Sequence, residues 1–237
     1  MPKLRLFIFR TSRKGDFDHA VRMDQIFSHF PAYGTSMKGL FLVQDGRYAD
    51  AQALLKPRAF DGYGKPLFLR PEFHWYLIAL VNDGSPEVAE PLLEEAIHRC
   101  HPARRFKLTL ASCLLDRRKN PERACELIEQ IIKERPEKLH DERYPLDAAN
   151  LIARHSWALA ACGRRLEAQA RIEEAMQRLP TLDYWDAACF LYFIGEAWNA
   201  LGDFVQARKA LQLSIDILPR GEMAIASRKA LAKIAEV

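Results

Sequence analysis

The sequence predicts an all-α protein built from consecutive antiparallel helix pairs. Three observations carry this prediction: recurrent alanines, glycines in the turns before many of them, and prolines after the helices that contain several of them. The alanines are separated by 31, 38, 35, 44 and 39 residues, and they are Ala20, Ala51, Ala89, Ala124, Ala168 and Ala207. This period is too long for one helix or strand and is typical of a repeated supersecondary unit.

The clearest copy of the unit covers residues 188–221. Large side chains and one small residue form the first helix face, and small and apolar residues form the facing side of a second helix. Gly202 and Asp203 predict the turn between them, and Pro219 ends the second helix because proline cannot continue it. The pattern residues are Leu191, Ile194, Gly195, Trp198, Ala207, Leu211 and Ser214. A small residue at 195 and 207 lets two helices cross closely.

These residues fall on the positions of the tetratricopeptide repeat, a 34-residue helix-turn-helix unit, and the chain resembles that family over nearly its whole length. The resemblance implies a right-handed α-α superhelix, or solenoid, of about six helix pairs with a C-terminal capping helix. It implies one domain over residues 1–237, with approximate repeats 1–31, 32–65, 70–103, 105–138, 149–182 and 188–221, and a cap helix at 223–236. Such stacks bury each repeat against its neighbours and need a polar cap.

The first three copies match the pattern to different degrees. In the first, Gly15 and Asp16 predict a turn, although residues 4–9 before it also fit a strand. The second copy carries Gly39, Leu42, Gly46, Tyr48, Ala51 and Leu55. The third carries Phe73, Leu80, Gly84, Ala89, Leu93 and Ala96.

The fourth and fifth copies each depart from the pattern at one place. The fourth has Leu108, Ala111, Ser112, Leu115, Ala124, Ile128, Ile131 and Pro136, but its turn at residues 119–121 lacks a glycine. The fifth has Ile152, Leu159, Gly163, Ala168, Ile172, Ala175 and Pro180, with His155 and Ser156 where the first helix needs a small residue. An unrelated helical bundle is the alternative, but a bundle has no reason to repeat both turn glycines and helix-ending prolines.

Composition agrees with a stack of helix pairs. About half of the 237 residues are apolar (49%), which is ample for a continuous core. No segment reaches the 18 or so apolar residues of a membrane helix, and residues 4–9 are too short for a signal peptide. The five cysteines form no Cys-x-x-Cys pair, which favours buried thiols in a reducing compartment. We expect a cytoplasmic location, with membrane association and an anchor preceding Met1 left open.

The family resemblance implies that first helices line a concave groove. The groove residues expected from the repeat positions are Met37, Leu40, His74, Trp75, Ile78, Asn82, Phe106, Asn150, Arg154, Trp157, Tyr192, Phe193, Glu196 and Asn199. Large aromatic side chains with a few polar groups are typical of protein interfaces. The sequence therefore favours a scaffold or adaptor that binds a peptide or helix of another protein. The alternative is that these aromatic side chains pack between repeats.

Three longer connections contain aromatic residues that either edge the groove or cap neighbouring helix ends: Tyr63, Tyr144 and Trp185. One family function is excluded by the residues at groove position 6. Members that bind the acidic tail of chaperones have asparagine there in two neighbouring repeats, whereas this chain has Leu6, Met37, Trp75, Leu110, Arg154 and Phe193. An acidic chaperone tail is therefore not the predicted partner.

Enzymatic motifs are absent from the sequence. It has no phosphate-binding loop of the Gly-x-x-x-x-Gly-Lys type, no Gly-x-Ser-x-Gly and no His-Glu-x-x-His. His98, Cys100 and His101 are close in sequence, but only 98 and 101 share a helix face, and a metal site would need another ligand. We predict no enzymatic activity, no cofactor and no metal.

Nucleic acid, a membrane surface and a second copy of the chain are the alternative partners. Net charge is only +4, yet basic residues gather at Lys3, Arg5, Arg10, Arg13 and Lys14, and again at Arg104, Arg105, Lys107, Arg117, Arg118 and Lys119. Such clusters can neutralise phosphates or meet anionic lipid. The irregular period and the aromatic groove make nucleic acid the least favoured partner. Peripheral membrane contact and a homodimer stay open.

Overall fold

The structure, a computed structural model, describes residues 31–134, 145–179, 182 and 184–236. Over these residues the chain forms eleven α-helices and no strand, apart from one isolated bridge between Phe60 and Pro66. The helices are α1 (Pro31–Gln44), α2 (Tyr48–Ala59), α3 (Pro71–Asn82), α4 (Pro86–Arg99), α5 (Arg104–Asp116), α6 (Pro121–Glu134), α7 (Pro145–Ala161), α8 (Arg165–Met176), α9 (Tyr184–Leu201), α10 (Phe204–Ile217) and α11 (Glu222–Ala235).

Tight turns join the two helices of each pair. Gly46, Gly84, Gly163 and Gly202 all have positive φ, between 75° and 89°, a conformation that glycine adopts without steric cost. The turn between α5 and α6 has no glycine, and two of its residues have positive φ: Arg118, at 51°, makes the backbone hydrogen bond that glycine makes in the other turns, and Asn120 has a φ of 45°. Asparagine is among the few other residues that tolerate this region. Its side chain also accepts a hydrogen bond from the backbone N–H of Arg123 at 3.1 Å.

The chain divides into two compact units, Met1–Leu110 and Ala111–Val237. The described part of the first unit contains α1 to α4 and the start of α5, and its core is aromatic. Phe73, which is fully buried, meets Phe68 edge-on at 5.1 Å and Phe106 at 6.2 Å between ring centroids. Phe60, at the end of α2, meets Tyr76 at 5.5 Å. Aromatic pairs in this geometry add to the stability gained from burial.

The second unit contains the rest of α5 and helices α6 to α11 over its described residues. Helix α9 crosses α10 at Gly195, where a Cβ atom would lie 2.6 Å from Cγ of Leu211 and 3.4 Å from the carbonyl oxygen of Ala207. The first unit repeats this arrangement, since a Cβ at Gly39 would collide with Leu55. The same number of residues separates glycine from leucine in both places, so the two crossings are equivalent positions of one repeat.

Helix α7 has a different small residue at the equivalent helix crossing. Ser156 stands where α9 has Gly195, and it is fully buried. Its hydroxyl donates to the carbonyl oxygen of Ile152 within the same helix at 2.9 Å, so the buried polar group has a partner. The small-residue requirement of the repeat is therefore met by serine in this pair.

Helix α11 closes the second unit along α10. Ala224, Ala230 and Ile234 are buried, and the Ser227 hydroxyl donates to that of Ser214 on α10 at 3.1 Å. The Ser214 hydroxyl in turn donates to the carbonyl oxygen of Ala188 at 2.9 Å. The buried side of α11 thus satisfies its polar groups, while the opposite side carries Arg228, Lys229 and Lys233 in exposed positions.

The all-α prediction with paired helices is confirmed. The single domain and the repeat boundaries stay predictions. The first predicted repeat, residues 1–31, lies almost wholly outside the described residues, and so do its basic cluster and the segment at 4–9. None of the helices in the described ranges is long and apolar enough to cross a lipid bilayer. All five cysteines lie in those ranges and none forms a disulfide; four are buried and Cys162 is half-buried.

Candidate functional site

A hydrogen bond between the first helices of two repeats marks a polar surface of the second unit. Tyr192 of α9 donates its hydroxyl to Oδ1 of Asp116, the last residue of α5, at 2.7 Å. The tyrosine is 7% exposed, whereas Asp116 is exposed to solvent. The bond joins residues that are 76 positions apart in the chain, so it depends on how the helices stack.

Asp116 is accessible to water and yet poorly solvated. The pKa of its carboxyl is raised from 3.8 to about 6, chiefly by desolvation and also by the charge of Glu196, while the Tyr192 hydroxyl, Lys233 and Arg154 offset part of the rise. Neighbouring groups of the second unit therefore crowd the carboxylate, while part of the residue stays in contact with solvent and available to a ligand.

Glu196 lies close by on α9 and shares this environment. Its pKa is raised by desolvation, and the effect is offset in part by a hydrogen bond from Asn199 and by the charges of Lys233 and Arg118. The Asn199 amide donates to Oε2 of Glu196 at 3.3 Å. Asp116 and Glu196 therefore form a pair of carboxylates whose negative charge is incompletely solvated. A cation placed between them would stabilise the ionised form of both.

Three aromatic rings pack together next to this carboxylate pair. Trp157 of α7 stacks on Phe193 of α9 with centroids 6.2 Å apart and meets Tyr192 edge-on at 6.0 Å. The guanidinium carbon of Arg154 lies 4.2 Å from the centre of the Phe193 ring, within the range of a cation–π contact. All three rings are buried, with 4 to 7% of their surface exposed. They hold α7 against α9 and support the polar groups above them.

The first unit places its groove candidates on α1, α3 and α5. His74 has its Nε2 atom 3.1 Å from the hydroxyl of Thr109, and its ring is 5.3 Å from that of Trp75. His74 and Trp75 are both half-buried. Arg105 donates to the carbonyl oxygen of Phe68 at 3.0 Å, so one member of the basic cluster on α5 is engaged in holding a loop.

The predicted groove residues divide by burial. Those nearly inaccessible to a partner are Leu40, Phe106, Trp157, Tyr192 and Phe193. Those half-buried, with part of the side chain open, are Met37, His74, Trp75, Ile78, Asn82, Asn150, Arg154, Glu196 and Asn199. Their role in binding stays a prediction, and the half-buried members are the ones that offer a contact surface.

Sequence reasoning missed Asp116, and a signal for it existed. Asp116 is the twelfth residue of the repeat at 105–138, and position 12 is among those that the family resemblance directs into the groove. Asn199 occupies the same position in the repeat at 188–221, and the family resemblance predicts it as a groove residue. Applying the position rule evenly to every repeat would have included Asp116.

The aromatic residues of the long connections have different environments. Tyr63 lies at a loop tip and is 98% exposed, whereas Trp185 in the first turn of α9 is 8% exposed. Tyr144 lies outside the described residues. Of the sequence neighbours considered as metal ligands, Cys100 is buried and His98 and His101 are exposed. The structure does not gather these three into a ligand set.

A second polar cluster lies between α6 and α7, away from the carboxylate pair. Glu129 of α6 receives a hydrogen bond from Nη1 of Arg164 at 2.6 Å, and its Oε1 is 3.6 Å from the Cys125 sulfur and 3.7 Å from Nε2 of His155. His155 is 6% exposed, and neither ring nitrogen has a hydrogen-bond partner. Desolvation, with the positive charge of Arg171, lowers the pKa of His155 to about 4.

The thiol of this cluster is strongly disfavoured as a free thiolate. Desolvation, followed by the charge of Glu129, raises the pKa of Cys125 to about 12. Arg164 lies 3.5 Å from its sulfur and also binds Glu167 through two bonds of 2.8 and 2.7 Å. The cluster therefore combines a thiol, a carboxylate and an imidazole with one cation, the guanidinium of Arg164.

Comparisons with known proteins add one structural similarity. No family model matches the chain, and no curated protein sequence matches it. A solved structure titled MamA AMB-1 C2221 is similar over 77% of this chain and 96% of that chain, with 18% sequence identity and a TM-score of 0.47. At this identity and TM-score the similarity supports no functional conclusion.

Proposed function

We propose that the protein is a non-enzymatic scaffold that binds a segment of a partner protein on the face formed by its first helices. In the second unit, the contact is centred on Asp116 and Glu196. The observation that supports this is the carboxylate pair, whose negative charge is incompletely solvated. A further cation would stabilise this pair, because the cations of the chain itself offset its charge only in part. The charges that already act on it are Arg118, Arg154 and Lys233.

The chemistry of this face selects the kind of segment. A lysine or arginine of the partner would pair with the two carboxylates, and the amides of Asn150 and Asn199 would supply directed hydrogen bonds. Peptide recognition of this kind combines a few charged anchors with a preformed surface. An acidic segment would be repelled by Asp116 and Glu196, which agrees with the sequence-based exclusion of an acidic chaperone tail.

The test begins with capture of partners from the native host on the immobilised wild-type protein, followed by mapping and synthesis of the bound segment. Its affinity is then measured for wild type and for Asp116→Asn combined with Glu196→Gln. We expect the double variant to weaken binding about ten-fold or more, as for loss of a charge-assisted contact. Affinity should also fall as the pH decreases through about 6, since Asp116 then becomes protonated.

The matched control is Glu173→Gln combined with Asp216→Asn, which changes the net charge equally on the second helices α8 and α10. Both control residues are exposed. The control should bind as wild type does. Equal weakening in both double variants, or no weakening in the first, would contradict the proposed face. Trp75→Ala tests the first unit by the same assay, whereas Trp157→Ala would mainly test packing, because that ring is 4% exposed.

Self-association is a second candidate, and exposed apolar side chains on the second helices favour it. Leu166 and Met176 of α8 are 81% and 41% exposed, and Val205 and Leu213 of α10 are 61% and 43% exposed. Exposed apolar residues near one another often mark interaction surfaces. Light scattering on wild type and on Leu166→Glu with Val205→Glu tests this candidate. A dimer that dissociates in the variant supports it, and a monomeric wild type contradicts it.

A further inference from the structure

We propose that Cys125, Glu129 and His155 form a binding site for a thiophilic divalent cation, of which Zn²⁺ is the best match. The sulfur, a carboxylate oxygen and a ring nitrogen of these residues all lie within 4.8 Å of one another. Over the described residues this is the group of three such side chains that could hold a metal ion. The proposal is independent of the protein-binding face.

The distances agree with a tetrahedral site. Zinc bonds of about 2.0 to 2.3 Å to nitrogen, oxygen and sulfur place neighbouring ligand atoms about 3.4 to 3.7 Å apart. The observed separations are 3.6 Å from the Cys125 sulfur to Oε1 of Glu129 and 3.7 Å from that oxygen to Nε2 of His155. Two of the three ligand separations therefore need almost no adjustment.

The helices explain why the three ligands converge. Cys125 and Glu129 are four residues apart on α6, so they share one face on adjacent turns. His155 projects from α7, which packs against α6 in the second unit. Two rigid elements thus position the ligands, and metal sites built on helices hold their geometry better than sites on loops.

The burial of His155 without a hydrogen-bond partner is the observation that points to a ligand. A buried imidazole normally donates or accepts at least one hydrogen bond, but neither ring nitrogen of His155, which is 6% exposed, has a hydrogen-bond partner. Its Nε2 atom faces the Glu129 carboxylate at 3.7 Å, longer than a hydrogen bond. A cation between them would satisfy the imidazole nitrogen and the carboxylate together.

Cys162 is the candidate for a fourth ligand, although its sulfur is not among the ligand atoms that lie within 4.8 Å of one another, so its side chain would have to move toward the metal. It follows α7 directly, and its backbone N–H donates to the carbonyl oxygen of Ala158, which continues the helical geometry. His155 and Cys162 are seven residues apart and share a helix face, and the Cys162 thiol interacts with that of Cys125. A set of two thiolates, one imidazole and one carboxylate suits Zn²⁺, and binding would release the two thiol protons.

Arg164 is the competing cation. Its Nη1 atom contacts both Glu129 and Cys125, while its other two guanidinium nitrogens bind Glu167. The side chain is 39% exposed and is also bonded to Glu167, so we expect its Nη1 atom to give up Glu129 when a metal enters. In the absence of metal, the guanidinium neutralises Glu129.

The test titrates Co²⁺ into the purified full chain under reducing conditions, after treatment with a chelator. We expect about one equivalent to bind, with thiolate-to-cobalt charge-transfer absorption and the visible bands of tetrahedral Co²⁺, both removed by Zn²⁺. Zn²⁺ should also raise the melting temperature, since the folded state, which gathers the ligands, binds it more tightly than the unfolded chain does. A wild-type protein that gives no charge-transfer absorption would overturn the proposal.

The variants assign the ligands. Cys125→Ser and His155→Gln should each weaken binding by more than about 100-fold, beyond the effect typical of residues that only support a ligand. Cys100→Ser, a buried thiol elsewhere in the chain, should bind as wild type does. Undiminished binding in Cys125→Ser, or loss in Cys100→Ser, contradicts the site. If Cys125→Ser does not fold, Glu129→Gln replaces it, because that side chain is 43% exposed.

Arg164→Gln separates metal binding from a purely structural network. Removal of the competing guanidinium should strengthen Co²⁺ binding while it weakens the packing of the metal-free protein. A structural network without metal affinity would show the loss of stability alone. Unchanged or weaker Co²⁺ binding in Arg164→Gln contradicts the role assigned to this residue.

Discussion

The helix pairs α7/α8 and α9/α10 are consecutive copies of one unit, and they differ at the point where their helices cross. In α9/α10, Gly195 leaves no room for a side chain against Leu211. In α7/α8, Ser156 fills the equivalent position, and its neighbour His155 turns toward α6 and meets Glu129. One pair is closed by apolar contact, and the other carries a buried polar cluster at its edge.

The difference shows that the repeat fixes the backbone more strictly than it fixes the chemistry. A small residue at the crossing preserves the helix pair in both copies, whether it is glycine or serine. The neighbouring position is then available for a polar group, provided that the next helix supplies partners. A departure from the repeat pattern is therefore a good place to search for a site that the fold alone does not require.

The largest expected effect concerns His155. Its pKa is about 4 in the folded protein against 6.5 in the unfolded chain, so the unfolded chain binds the proton more tightly. Stability should be lost as the pH falls from about 6.5 to about 4, by about 3 kcal/mol for this group. His155→Leu should lack this loss. Urea unfolding of both proteins across this pH range, in the presence of a chelator, measures the difference.

Other groups largely cancel in that comparison. Asp116, for example, has a raised pKa in the folded protein, so ionisation destabilises the fold as the pH rises, but this occurs equally in wild type and in His155→Leu. The matched control is His98→Leu, the same substitution at an exposed site near the end of α4. Parallel pH profiles for wild type and His155→Leu would contradict the burial of a neutral imidazole.

The second expected effect concerns the crossing itself. Gly195→Ala should destabilise the protein by about 1 to 3 kcal/mol, because the added methyl group collides with Leu211 and overpacks the crossing. Ser156→Ala, at the equivalent position of α7, should cost about 1 kcal/mol or less, since it removes one side-chain hydrogen bond. Thermal or chemical unfolding measures both. An alanine that stabilises at 195, as its helix propensity alone would predict, contradicts the close crossing.

The smallest expected effect concerns the carboxylate pair. Tyr192→Phe removes the hydroxyl that donates to Asp116, and that hydrogen bond lowers the pKa of the carboxyl. The pKa of Asp116 should therefore rise above its wild-type value of about 6. Carboxyl carbon NMR shifts followed against pH measure it directly. Tyr184→Phe, an exposed tyrosine at the start of α9, is the control and should leave the titration unchanged; a lower pKa in Tyr192→Phe would refute the assigned bond.

Local signals in the sequence were sufficient to predict the helix pairs. Glycine in the left-handed region identifies turns at Gly46, Gly84, Gly163 and Gly202, and the alanines identify helix crossings, because both requirements are steric and confined to a few residues. Burial was harder to predict. The repeat positions predict Trp157 in the groove; its ring stacks on Phe193 of α9 and is 4% exposed, and its role in binding stays a prediction.

The polar cluster could not be predicted from local spacing. Glu129 and His155 both lie within the longest interval between the repeated alanines, from Ala124 to Ala168. Tertiary packing decides which face of α7 lies against α6. A shift of one residue along a helix changes the direction of a side chain by about 100°. Only the three-dimensional structure brings the thiol, the carboxylate and the imidazole together.

Hydrogen–deuterium exchange on the wild-type protein, with and without the captured partner segment, tests the central claim most directly. We expect protection of the first helices, at the end of α5 around Asp116 and along α9 from Tyr192 to Asn199, with little change in α8 and α10. Protection confined to α8 and α10 would contradict it and would place the partner on the exposed apolar side chains of the second helices.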